Sequence, residues 1–324
     1  MSRLQTVLLS FLFSTSILAQ EPQVLENLPV PDFIDTLFID RDINNWSLRT
    51  FVNYKNHRFQ LGNDDYKQGY TPSNPGGVGF GLATKKLIID CGFNLQLRDK
   101  ERTERVDFRI ALLMQKHNFS YFLQSYKGFN LNPDFDLDNN FRHDINSLSS
   151  GLNYMYLFNA SEFSLTAMKS GLSTQKRTAL SFGLGGFLFY NRLLADSTIV
   201  PLELQIYSNN QAMLTRLYGA GGGVQGGFSI IIPFLKKLIA SASITPGIGV
   251  IYKNVHTETS SYVPSNPFIA ETLLEGLIGY NGKNIYLNCT LTYAYYKTSL
   301  DFGNWIGYQT TQAKIVFGYK LGSK

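Results

Sequence analysis

The sequence predicts an all-β protein, a transmembrane antiparallel up-and-down β-barrel. Three observations carry this. First, apolar and polar residues alternate with a period of two, as strand side chains point to opposite faces in turn. Leu87, Ile89, Cys91, Phe93, Leu95 and Leu97 share one face, and Ile88, Asp90, Gly92, Asn94 and Gln96 share the other. In the next segment Val106, Phe108, Ile110, Leu112 and Met114 oppose Arg105, Asp107, Arg109 and Gln115. Second, these segments run to about ten residues, the length a tilted strand needs to cross a bilayer, whereas soluble strands run to about five or six. Third, the 324 residues are only 16% charged and include 19 Tyr and 24 Phe, yet mean hydropathy is −0.09. A helical membrane protein would be hydrophobic on average. In a barrel, lipid-facing and lumen-facing residues cancel in every window.

The N-terminal element is read as a secretory signal, Met1 to Ala19. Arg3 supplies the positive end, Val7 to Phe13 the apolar core, and Ala19 the small residue before a cut at Gln20. The core is too short for a spanning helix, and no cysteine near the cut offers a lipid anchor. Residues 20–45 are expected as a periplasmic lead-in or short plug, 46–321 as the barrel, and 322–324 as a tail. Beyond Ala19 no run of about 18 apolar residues appears. The expected location is therefore the outer membrane, with its lipid and the barrel-assembly machinery as partners. Net charge is +5, or 5 − 1 = +4 without Arg3, too small to argue for a nucleic-acid partner.

The candidate strands follow in order. The first lies within Ser47 to Leu61. Next come Gly77 to Thr84, Leu87 to Leu97, Arg105 to Gln115, Asn118 to Tyr126 and Leu148 to Phe158. Glu162 to Met168, Thr178 to Tyr190 and Thr198 to Tyr207 continue the series, the last resting on Leu202, Leu204 and Ile206. Tyr218 to Ile232, Ile239 to Tyr252, Phe268 to Tyr280, Ile285 to Tyr296 and Tyr308 to Leu321 complete it. Bacterial barrels have an even strand number, with short periplasmic turns and longer outer loops. Lys85-Lys86, Lys116-His117, Asn159 to Ser161, Pro233 to Leu238 and Asn281-Gly282-Lys283 are the short turns, and the last carries the Asn-Gly hairpin signal. Short and long connections alternate only if Thr198 to Tyr207 is a strand. That favours about fourteen strands, with twelve as the alternative.

Finer features fit this frame. Cys91 and Cys289 are in phase with apolar neighbours and read as lipid-facing residues, not as a disulfide. Trp46, Tyr126, Phe129, Tyr154, Tyr156, Phe158, Tyr190, Tyr218, Tyr252, Tyr280 and Trp305 sit near strand ends, as interfacial girdles do. Glycines concentrate in Gly183 to Gly186, Gly219 to Gly227 and Gly247 to Gly249. Barrel curvature is the favoured account of them, and a groove for a plug or ligand is the other.

Several stretches resemble one family. They are Arg49-Thr50-Phe51-Val52-Asn53-Tyr54-Lys55, Tyr70-Thr71-Pro72-Ser73-Asn74-Pro75 followed by Gly79, Tyr126-Lys127-Gly128-Phe129, and Gln175-Lys176-Arg177-Thr178. In this order they are similar to an uncharacterised family of outer-membrane barrels, domain of unknown function 4421. The resemblance spans nearly the whole mature chain. It implies an outer-membrane barrel and no known reaction.

The chemistry-bearing residues are few. Asp90, Arg105, Asp107 and Arg109 are expected to face the lumen on neighbouring strands, and Glu271 and Glu275 on a later one. Such charges pair across strands or line a water path. Tyr126, Lys127, Gly128 and Phe129 form a candidate loop site at the start of a long connection. His143, Asp144 and Ser147 share that connection, but a catalytic triad is recognised by geometry and not by adjacency. Asp134, Asp136 and Asp138 have calcium-loop spacing without the usual Gly and closing Glu. We therefore expect no catalytic residues, no metal site and no cofactor. The expected function is a non-enzymatic channel or binding barrel for small solutes. The alternatives are an outer-membrane enzyme acting on lipid or envelope polymer, and a secreted soluble β protein. The soluble alternative requires Cys91, Phe93, Cys289 and Leu291 to be buried.

Overall fold

The computed structural model describes residues 35–41, 46–95, 102–131 and 140–322. The expected signal, most of the lead-in, and Asp134, Asp136 and Asp138 lie outside the described residues.

Among the described residues, sixteen strands follow one another. The first eight are β1 (Ile39–Arg41), β2 (Trp46–Gly62), β3 (Lys67–Thr71), β4 (Gly76–Thr84), β5 (Leu87–Asn94), β6 (Glu104–Met114), β7 (His117–Leu131) and β8 (Phe141–Leu157). A short helix, α1 (Leu165–Lys169), and β9 (Ser173–Gln175) precede β10 (Ala179–Leu194). The chain ends with β11 (Leu214–Leu235), β12 (Leu238–Thr257), β13 (Ser261–Tyr262), β14 (Phe268–Asn281), β15 (Ile285–Asp301) and β16 (Asn304–Leu321).

Among the described residues, twelve long strands form one closed antiparallel ring, β2-β4-β5-β6-β7-β8-β10-β11-β12-β14-β15-β16. The last strand returns to the first, with pairing that runs from Trp46↔Leu321 to Gly62↔Trp305. Closure leaves the ring no edge, so every strand in it has a partner on both sides. The alternation read from the sequence is the barrel's inside and outside. In β2, Phe51 is 6% exposed and faces inward, while Val52 is 52% exposed and faces out. Leu48, Leu188, Ile248, Leu291 and Phe317 continue the outer apolar belt. Phe93, Cys289 and Leu291 are exposed on that face and Cys91 is half-buried there, contrary to the soluble alternative. Both cysteines are free.

The ring is not uniform. In its lower half β2 pairs with β4, from Trp46↔Thr84 to Tyr54↔Gly76. Higher up, β2 pairs with β3 instead, and β3 in turn pairs with β7 through Tyr70↔Leu131 and Thr71↔Asn130. One strand there replaces the three strands β4, β5 and β6, so 12 − 3 + 1 = 10 strands surround the lumen at that end. A β-bulge at Lys127/Phe129 bends β7 at this junction, and Gly128 takes φ +85°, a left-handed conformation.

Two expected strands are corrected. Glu162 to Met168 is a turn followed by α1, and Thr198 to Tyr207 contains a 3₁₀ helix over Leu202–Tyr207. The ring thus has the alternative number, twelve, and the whole sheet reaches fourteen only by counting the short β3 and β13. The length argument failed at residues 158–178. This long connection lies at the end that carries the turns 85–86, 115–116 and 236–237, because it folds inward and fills that end.

Both ends of the lumen are filled. At the turn end Phe163, Ala167 and Met168 of the α1 segment pack on Ala179, Ile231, Ile239 and Leu277 of the wall. Ser164 caps α1 by accepting the Ala167 N–H at 3.1 Å. Asn288 and Arg49 hold the far end of α1 by donating to the carbonyls of Met168 and Lys169, each at 3.1 Å. Gly171, at φ +64°, turns the chain where a Cβ would meet the Tyr286 ring. At the loop end, residues 195–213 fold over the mouth and bury Ile199, Val200 and Leu204 against Phe59, Tyr70, Tyr126 and Phe129. Phe59 stacks on Tyr70 with centroids 4.4 Å apart. Arg142 ties this segment down by donating to the Thr198 carbonyl at 3.0 Å.

The inward glycines of β10, β11 and β12 sit where neighbouring groups approach closely. A Cβ at Gly223 would run into the Ile248 carbonyl, and Phe187 pairs with Gly223 as Phe189 does with Gly221. The rings fill the space the glycines leave. Tyr126 and Phe129 are fully buried and belong to the interior, not to a girdle.

The outward apolar belt makes a definite prediction. Leu291→Lys, at mid-belt, should cost about 2–4 kcal/mol of folding free energy in lipid vesicles, while Thr292→Lys, on the lumen side, should cost far less. Equilibrium unfolding in urea measures both.

Candidate functional site

Between the two plugs lies a cavity of about 300 Å³. Its walls differ in character. One is ionic and comes from β2, β5, β6 and β16. The rest mixes apolar side chains, such as Phe122, Met155 and Leu273, which supply most of its surface, with neutral polar groups, among them Gln124, Asn153, Gln225 and Thr292.

The ionic wall follows from strand register. Asp90 of β5 sits directly opposite Arg109 of β6, and both face inward. Asp90 is paired with Arg49 at 3.2 Å and with Lys314 at 2.6 Å. The Lys314 ammonium also lies 3.8 Å from the centroid of the Phe51 ring, a cation–π contact. One step towards the loop end, Asp107 is paired with Lys55 at 2.5 Å and Arg105 at 3.1 Å. Arg105 further donates to the Asn53 side chain at 2.9 Å and to the Pro75 carbonyl at 3.0 Å. Tyr126 donates to Asp107 at 3.4 Å and stacks on His57 at 4.7 Å. His57 in turn contacts Thr310 through Nδ1 at 2.9 Å.

The Asp107 group occupies the junction where β3 replaces β4 to β6. There Thr103 donates to the Gly128 carbonyl at 2.7 Å, and the Ser73 N–H donates to Thr103 at 2.9 Å. A Cβ at Gly77 would overlap the Arg105 guanidinium, so the strand needs glycine there. Three of the four sequence stretches singled out above meet at this point: Asn53 and Lys55, Ser73 and Pro75, Tyr126 and Gly128. The fourth anchors the turn-end plug. Gln175 donates to the Glu162 carbonyl at 2.7 Å and accepts the Ser164 N–H at 3.1 Å.

All six expected lumen charges face inward, in different settings. Asp90, Arg105 and Asp107 are ion-paired. Glu271 accepts from Tyr296 at 2.9 Å, and Glu275 pairs with Lys169 of the plug at 3.5 Å. The two glutamates are four strand residues apart, about 13 Å, and do not act as a carboxylate pair. Arg109 stands apart. It lines the cavity with no ion pair or hydrogen bond among the described residues, and it is the most exposed residue of the ionic wall. The sequence reading missed Arg49, Lys55 and Lys314. Their phase with Phe51 and Val316 was the available signal, but their ion-pair partners lie on strands distant in sequence.

The candidate loop site is corrected. Tyr126, Lys127, Gly128 and Phe129 belong to β7, which runs on to Leu131. The bulge at Gly128 lets Tyr126 and Phe129 both enter the interior, while Lys127 stays exposed. His143, Asp144 and Ser147 do not converge. Asp144 is bound by Arg142 at 2.8 and 2.7 Å, Ser147 is buried, and His143 packs on Phe141 at the rim. Among the described residues no cluster of His, Cys, Asp and Glu fits a metal ion.

The chain matches the family model described as "Domain of unknown function (DUF4421)" over residues 33–320. Among solved structures it is similar to the outer membrane protease OmpT from Escherichia coli, at 8% identity and TM-score 0.40, covering 86% of this chain and 97% of that one. It is also similar to the translocator domain of the autotransporter NalP from Neisseria meningitidis, at 10% identity and TM-score 0.44, covering 85% and 88%. The toluene transporter TodX from P. putida follows at 7% identity and TM-score 0.30, covering 86% and 91%. No curated protein sequence matches.

The ion-paired wall makes its own prediction. Asp90→Asn leaves Arg49 and Lys314 without their shared partner and should destabilise the barrel by about 3–5 kcal/mol, the cost of stranding buried charge. A drop in the temperature at which the folded band disappears on a heat-modifiability gel measures it.

Proposed function

The chain belongs to the DUF4421 family, and from that premise we propose that it is a non-enzymatic outer-membrane barrel whose closed lumen binds a small polar solute. The carrying observation is the cavity of about 300 Å³ held between two plugs. Small-molecule sites run from about 300 to 1,000 Å³, so this space suits one small guest. An open pore would leave the axis clear, whereas here residues 195–213 and the α1 segment both cross it. The lining supports binding over catalysis. Its carboxylates are each engaged by a cation or a tyrosine, and the hydroxyl–imidazole contact between Thr310 and His57 Nδ1 has no carboxylate on the other ring nitrogen to complete a triad. The outer apolar belt fits outer-membrane lipid. The barrel-assembly machinery is the expected route of insertion, since a closed antiparallel ring of this kind is its product.

Planar-bilayer recording tests the reading. The full protein should give no steady open conductance. Replacing residues 196–212 or 160–176 alone by a short turn should leave it closed, and replacing both should open a steady conductance. Sustained conductance by the unaltered protein would overturn the closed-lumen reading.

A further inference from the structure

We propose that the lumen site recognises a small organic anion, a carboxylate or phosphate on a hydroxylated body, with Arg109 as its primary partner. This rests on the binding-barrel reading and names the class of guest. Three observations lead to it.

The first is charge. Five cationic side chains, Arg49, Lys55, Arg105, Arg109 and Lys314, share the ionic wall with two carboxylates, Asp90 and Asp107. Each carboxylate already takes two cations. The wall therefore carries a surplus of positive charge, and among the described residues no further carboxylate pairs with it.

The second is Arg109 itself. Asp90 lies opposite in the register, but Lys314 and Arg49 occupy its oxygens. Arg109 thus projects from the wall with its donors unused. A guanidinium presents a planar fork that fits carboxylate or phosphate oxygens through two parallel hydrogen bonds. In a lumen shielded from bulk water such a contact is stronger than at a surface.

The third is the remainder of the lining. Ser149, Asn153 and Gln225 put polar side chains in the lining, and Thr245, Thr292 and Thr310 add hydroxyls to the same space. Hydroxyl groups on a guest would hydrogen-bond with those polar groups that reach the cavity surface. Tyr293, Tyr296 and Tyr308 give this lining apolar faces as well. A cation on one side, with amides, hydroxyls and apolar faces around the rest, suits an organic acid or a sugar phosphate, which joins a charge to hydroxyls and a carbon skeleton, better than a metal ion.

Titration calorimetry on the full chain, refolded in detergent, decides the matter with gluconate, glucose 6-phosphate and glucose. At least one of the two anions should bind about tenfold or more tightly than glucose, since a charge-assisted contact is lost in the neutral sugar. Which anion binds separates carboxylate from phosphate recognition. Arg109→Gln should weaken anion binding by a similar factor with heat-modifiability unchanged, and Arg109→Lys should restore part of it. Raising salt should weaken the anion and leave glucose unaffected. Equal binding of glucose and both anions, or full anion affinity in Arg109→Gln, overturns anion recognition while leaving a solute-binding barrel intact. Absence of binding by all three overturns the anion assignment, and the conductance records judge the closed lumen separately. If Arg109→Gln fails to fold, the comparison of anions with glucose and the salt dependence still decide.

Discussion

The structure depends on one constraint: each backbone amide and carbonyl in the hydrocarbon layer must find a partner within the sheet. An unmatched group there costs several kcal/mol. The pairing of β16 with β2 removes the last edge, and it uses nearly the full length of both strands. Everything else follows from a cylinder having an inside. Side chains at alternate positions must either fill that inside or leave it wet. This chain fills the two ends with apolar groups and keeps the middle polar.

The polar middle is held by opposite charges and not by neutral packing. Burying a charge is tolerable only when it is paired and hydrogen-bonded. Asp90 and Asp107 each meet two cations, and Asp107 also accepts from Tyr126 across strands. This arrangement does two tasks. Around Asp107 it joins β2, β6 and β7 where the intervening strands stop. Around Asp90 it forms one wall of the cavity and leaves Arg109 free to meet something else.

Much of the fold was legible because strand alternation survives in the sequence wherever one face meets lipid. The inward phase of Asp90, Arg105, Asp107, Arg109, Glu271 and Glu275 could be read from their apolar neighbours alone. Two kinds of feature could not. Glu162 to Met168 and Thr198 to Tyr207 have apolar spacing suited to a strand, but the first packs Phe163, Ala167 and Met168 inside the barrel, and the second buries Ile199, Val200 and Leu204 there while Leu202 and Ile206 stay exposed. Only the finished cylinder makes that burial available. The bulge at Gly128 was likewise hidden, because a single extra residue shifts phase without changing composition. The partners of the inward charges were also beyond reach. Lys314 and Asp90 are far apart in the chain and meet only when the ring closes.

The narrowing from twelve strands to ten has a kinetic consequence. Barrel width grows roughly in step with strand number, so the body of this vessel is wider than its neck. A pipe passes its contents at a rate set by its bore. A flask exchanges them at a rate set by how often its stopper moves. The stopper here is a folded segment packed on the apolar lining of the neck and tethered by Arg142. For the solute-binding barrel proposed above, this shape would favour dwell time over throughput.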